Sequence, residues 1–166
     1  MSYFLRVFCQ SNQTVSHSEI ADFIRDGYYF DEPPPIEVQL RAEGANETDW
    51  KFINVDYQTG KRPVSIQRNV NDKVLQQEID EIIEIISRYG QSELQQNLAR
   101  KIAASQQVIA IEIVPQSLTD AAWGMLDCLE AHLAKTLSGI IYAPDDGFYD
   151  EKLQPIYKLG TPVSIG

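Results

Sequence analysis

Between Val108 and Leu159 the chain carries a strand, one long helix and a series of turn-linked strands, an order that few folds can accommodate. Val108–Val114 is apolar except for Glu112 and reads as a strand. From about Leu118 to Ser138, Ala122, Leu126, Leu129, Leu133 and Leu137 recur three and four apart, the spacing of a buried helical stripe, with Trp123 and Met125 widening it. Ser117 or Thr119 can cap this helix. Gly139 then opens Ile140–Tyr142, Pro144-Asp145-Asp146-Gly147 turns the chain, and Phe148–Tyr149 and Ile156–Tyr157 follow as strands. Leu126, Leu129 and Leu133 are expected to anchor the core, and Glu130 to face solvent. Gly124 costs about 1 kcal/mol relative to Ala inside a helix, so it is expected where the helix lies close on the sheet.

A rougher copy of this order opens the chain. Tyr3–Cys9 reads as a strand apolar on both faces, hence a central one. Ser16 and Glu19 fit a capping box, Val15 and Ile20 a hydrophobic staple, and a helix His17–Asp26 ends at Gly27. Ile36–Ala42, Trp50–Tyr57 and Pro63–Arg68, joined by short turns, read as an antiparallel meander. Asn71 or Asp72 caps a helix whose stripe is Leu75, Ile79, Ile82, Ile83 and Ile86, and which Gly90 ends. Ser92–Gln95 starts another, with Leu94, Leu98 and Ile102 on one face, and Gly160–Gly166 reads as a loose tail.

The expected fold class is therefore α+β: two βαββ-like halves, 1–70 and 106–159, joined by a helical connector, 71–105, within one domain spanning 1–166. The sheet is mostly antiparallel with helices packed on one face. The halves are similar to ferredoxin-like half-units, an analogy of fold that implies no function.

Composition narrows the function classes. Against 14 Lys and Arg stand 24 Asp and Glu, a net charge of −10. A net anion repels phosphate backbones, so no nucleic-acid partner is expected. No apolar run approaches the ~20 residues of a membrane span, and the chain opens without the basic start and apolar core of a signal peptide. Two cysteines, Cys9 and Cys128, make no disulfide framework, and each lies on an apolar face where an unreactive reduced thiol is expected. These features together point to a cytoplasmic protein.

No residue pattern specifies catalysis, a metal or a cofactor. No Gly-flanked nucleophile, phosphate loop or dinucleotide fingerprint occurs. Cys128 and His132, four apart on one helix, fall short of a zinc ligand set. Lys61, Arg62 and Arg68 balance the acidic strands beside them. Two stretches stand out as a ligand or partner surface. Tyr28, Tyr29, Asp31 and Glu32 precede three prolines that force a stiff, extended path. Tyr142, Asp145, Asp146, Tyr149 and Asp150 cluster around the turn at Gly147, whose Asp-Gly pair fits an ordinary hairpin better than a calcium loop. The resulting expectation is a non-catalytic protein-interaction or regulatory protein with a protein partner, a second copy of the chain being an admissible one. The alternative is a small enzyme or small-ligand-binding protein with a pocket between the two halves, using the same carboxylates and tyrosines.

Overall fold

A computed structural model describes residues 3–70 and 72–159. The expected cap at Asn71 and the tail 160–166 lie outside the described residues. The elements run β1 (Tyr3–Cys9), α1 (His17–Asp26), β2 (Ile36–Leu40), β3 (Trp50–Val55), β4 (Val64–Asn69), α2 (Asp72–Arg88), α3 (Glu93–Ala103), β5 (Gln107–Ile113), α4 (Asp120–Leu137), β6 (Gly139–Ala143), β7 (Gly147–Tyr149) and β8 (Pro155–Lys158). The eight strands among the described residues join one antiparallel sheet in the order β2-β3-β4-β5-β1-β6-β7-β8.

Because β1 is antiparallel to both β5 and β6, those two strands run parallel, and α4 crosses over β1 to connect them. By the same alternation β1 and β2 run parallel, and α1 crosses over β5, β4 and β3. The two crossovers proceed in opposite directions from oppositely directed strands. A shared hand therefore places both helices on the same face of the sheet. The likeness of the halves stops there. β2 lands at the far edge and its meander returns inward, whereas β6 lands beside β1 and its meander runs outward. The halves thus interleave, β1 lying between β5 and β6 and β5 between β4 and β1, rather than sitting side by side as ferredoxin-like units.

The helices also do not share a face. Leu5, Val7 and Cys9 of β1, Ile109, Ile111 and Ile113 of β5 and Ile53, Val55, Val64 and Ile66 of the meander pack with Ile20 and Ile24 of α1 and the α4 stripe. The alternate residues Phe8, Val108, Ile140, Tyr142 and Phe148 pack with Leu75, Ile79, Ile82 and Ile86 of α2 and Leu98 and Ile102 of α3. Strands apolar on both faces need a layer on each side, and the connector helices supply the second one. On β2 and β4 the alternate positions are Glu37, Gln39, Ser65 and Gln67, and they join neither apolar cluster.

Local expectations fare unevenly. Ser16 Oγ accepts from the Glu19 amide at 3.0 Å, and Val15 and Ile20 are buried as a staple would be. The full reciprocal box forms at Ser92 and Gln95 instead. Gln95 is buried there and donates to the Tyr157 hydroxyl at 3.1 Å, while the neighbouring Leu94 is exposed. Trp50 is fully buried, and its indole N–H donates to the Val15 carbonyl at 2.8 Å, tying β3 to the entry of α1. Gly27 ends α1 in right-handed conformation, and the left-handed residue is Tyr28, with φ 53°. What Gly27 provides is space, since a side chain there would collide with the Tyr29 ring.

A β-carbon at Gly124 would meet nothing within 4 Å among the described residues, so this glycine marks no close helix-on-sheet contact. That contact lies at Gly139, where a β-carbon would sit 2.6 Å from Val7 and 3.3 Å from the Ala134 backbone. Replacing Gly124 with Ala should therefore raise stability by about 0.5–1 kcal/mol, read as a higher denaturant midpoint at unchanged slope. An unchanged or lower midpoint would mean that the helix needs its flexibility at that point.

Candidate functional site

The two stretches singled out in the sequence lie at different corners of the molecule. Tyr29, Asp31, Glu32 and Pro33–Pro35 form one wall of a concavity of about 660 Å³, completed by Asp56 and Tyr57 after β3 and by Thr119 and Ala121 at the start of α4. Tyr28 is 86% exposed, and Asp31 and Glu32 also face solvent. Tyr29 turns inward against the α4 layer, and its burial, then its interaction with Cys128, push its hydroxyl pKa up to about 12. Tyr57 reaches Ser117 at 3.2 Å, fixing the end of β3 against the approach to α4.

The second stretch is divided by the sheet. Tyr142 is buried on the α2–α3 face, tilted against Phe148 with ring centroids 4.9 Å apart, so it offers no surface to a partner. Strand alternation is the reason: Ile141 points to the α4 face and Tyr142 to the other. Asp150 Oδ1 accepts from the amides of Lys152 and Gln154, both at 2.9 Å, and so holds the turn into β8. Asp145 is exposed, with left-handed backbone at φ 63°. Asp146 and Tyr149 remain on the α4 face, where burial and then the neighbouring Asp146 raise the Tyr149 hydroxyl pKa.

There they border a second concavity, of about 280 Å³, with residues that sequence reasoning passed over: Tyr3, Trp123, Asp127 and Glu130. It is walled by β1 and β6 from different halves, a consequence of their interleaving. Glu130 is not on the solvent side of α4. It is 4% exposed, and among the described residues its Oε1 has no hydrogen-bond partner. The signal was present in the spacing, for Glu130 lies four after Leu126 and three before Leu133, inside the stripe that the leucines define. Tyr3 cannot serve it as a donor, because its hydroxyl donates to the Pro144 carbonyl at 2.7 Å. Burial, with the nearby Asp127 carboxylate adding to it, pushes the Glu130 pKa up to about 8. Burial likewise raises Asp127, and it raises Tyr3 to about 12, where Asp146 and Asp145 add to the effect.

The remaining candidates resolve into structural roles. Arg68 is buried, with Nε donating to Gln107 Oε1 at 2.9 Å, and Arg62 lies 3.4 Å from Glu112, so the basic island is divided. His132 stacks on Phe23 with centroids 4.5 Å apart and lies 3.8 Å from Glu19. Among the described residues no group of three or more His, Cys, Asp or Glu could hold a metal ion, and no helix is long and apolar enough to cross a membrane. Cys9 is buried and its thiol is pushed up to about 12, but Cys128 is exposed, against the expectation that both would be shielded. In the folded protein one thiol should therefore react quickly with a disulfide reagent and the other only on denaturation. Two slow thiols, or two fast ones, would contradict this placement.

A raised carboxyl pKa in the folded state means that folding takes up a proton. Its contribution to stability is complete below the unfolded value of 4.5 and is lost as pH rises toward the folded value of about 8. Stability should fall across that window by up to about 1.4 kcal/mol per pH unit from Glu130 alone. Glu130→Gln should flatten the profile and exceed the parent at pH above about 8. Parallel profiles for the two proteins would show that Glu130 ionises freely. No family model matches this chain, and neither does any curated protein or solved structure.

Proposed function

We propose that this chain is a non-catalytic interaction protein that recognises a basic segment of a protein partner through the corner formed by Tyr28–Pro35 with Asp56 and Tyr57. The observation that carries the reading is Tyr28. A left-handed backbone costs a side-chain-bearing residue roughly 1–2 kcal/mol, and burial returns none of that to a ring that is 86% exposed. Strain of this kind clusters at active sites, ligand clamps and switch regions. The prolines stiffen the segment, which lowers the ordering cost on binding. Asp31, Glu32 and Asp56 border the same concavity and favour a Lys- or Arg-bearing partner.

A second reading, small-ligand binding, is favoured by one specific feature, the concavity lined by buried Glu130, whose Oε1 has no hydrogen-bond partner among the described residues.

Tyr28→Gly separates stability from recognition. The variant should be at least as stable as the parent, because glycine adopts φ 53° without strain. It should lose at least about tenfold of its capture of a basic partner in pull-downs from the native cell. A charge-neutralising pair, Asp31→Asn with Glu32→Gln, should lose the same partner and weaken its salt dependence. If both variants retained the partner set of the parent, this corner would not be the recognition surface. Sedimentation of the parent tests the case in which the partner is a second copy of the chain.

A further inference from the structure

We propose that the concavity between β1, α4 and the β6–β7 hairpin binds a small organic ammonium ion, with the Glu130 carboxylate as its buried counter-ion. The inference rests on the ligand-binding reading and is independent of the Tyr28 corner.

The starting point is an unmet demand. A carboxylate removed from water needs hydrogen bonds or an opposite charge. Among the described residues Glu130 Oε1 has no hydrogen-bond partner. The Tyr3 hydroxyl is committed to the Pro144 carbonyl, and Tyr149 lies beside the Asp146 carboxylate rather than offering itself to Glu130 alone. The groups that titrate around Glu130 are Asp127 on its own helix, Tyr3 on β1, Asp146 on the hairpin turn and Tyr149 on β7. All of them are acids or phenols, and among the described residues no Lys or Arg lines the cavity. Without an occupant, the carboxyl lowers its cost by holding a proton, which its raised affinity for protons reflects.

An ammonium group answers the demand more fully. It brings a full charge and several N–H donors to the Glu130 carboxylate at the cavity wall. The apolar body of the ligand then meets Leu5, Ile141 and the rings of Tyr3 and Trp123, whose π-faces attract cations as well as hydrocarbon. At about 280 Å³ the space suits an amine of small size. A bare metal ion fits less well, since among the described residues no set of three ligating side chains converges. The recognition would be proton-linked. Below the Glu130 titration the ligand must displace a proton, so binding tightens as pH rises toward about 8.

The test uses the full chain and three probes of one shape: benzylammonium, benzyl alcohol and benzoate. Backbone and side-chain NMR shifts at Tyr3, Trp123, Glu130 and Asp146 report occupancy, with each probe titrated to ~10 mM. Benzylammonium should bind at least about tenfold more tightly than benzyl alcohol at pH about 8, benzoate should not bind, and affinity should weaken at pH about 6. Glu130→Gln, which keeps the shape and removes the charge, should erase the preference for the cation, and Asp146→Asn should weaken it less. Equal binding of the alcohol and the cation would overturn the counter-ion role while leaving a ligand cavity. Binding of none of the three would overturn the ammonium site and the ligand-binding reading together, leaving the Tyr28 corner untouched. A preference for the cation that persists in Glu130→Gln would place the site elsewhere.

Discussion

Strand β1 is hydrogen-bonded along both edges and packed on both faces, and the architecture follows from that one condition. Its edges are taken by β5 and β6, so the helix joining those strands must pass over it. One face meets α1 and α4 and the other meets α2 and α3. Arg6 adds a polar tie on the second face, lying 3.1 Å from Glu78 of α2. A strand so enclosed tolerates no register slip, because a shift by one residue would exchange Val7 with Phe8 and drive Arg6 into the α4 layer.

Much of this was legible in periodicity. The strands, the helices and the single-faced meander could be read because amphipathic spacing reports one buried side at a time. Sheet order could not be read, since spacing says nothing about which edge a strand finds. β2 and β6 follow the same kind of crossover and come to rest at opposite kinds of position. The two apolar faces of Tyr3–Cys9 already required covering on both sides, and reading the helices 71–105 as a mere connector hid the layer that does so.

The site was less legible for a different reason. Exposed aromatics and acids such as Tyr28, Asp31 and Glu32 look unusual in sequence and do prove exposed. Tyr142 looks the same and is buried, because strand parity, not residue type, decides its side. Glu130 was concealed by its chemistry. A carboxylate in an apolar stripe reads as the edge of the stripe until the neighbouring strands close over it. The sequence features that mark a surface are compositional, while those that mark a cavity are relational and need the positions of Tyr3, Trp123 and Asp146 as well.

The enclosure of β1 also dictates a timetable. Both of its partners are encoded far downstream, at Gln107–Ile113 and Gly139–Ala143. At ribosomal speeds of about 5–20 residues per second, the first strand made waits on the order of ten seconds for the last neighbour that completes it. Until β5 emerges, most of that interval, Leu5, Val7 and Phe8 have no neighbouring strand of their own, and the meander β2–β4 lacks the strand that should continue it. Contacts this distant in sequence also slow closure once synthesis ends. The arrangement that makes the native strand immovable thus leaves the nascent chain with an open, apolar edge, and places the risk of misassembly in the period of its birth rather than in its mature life.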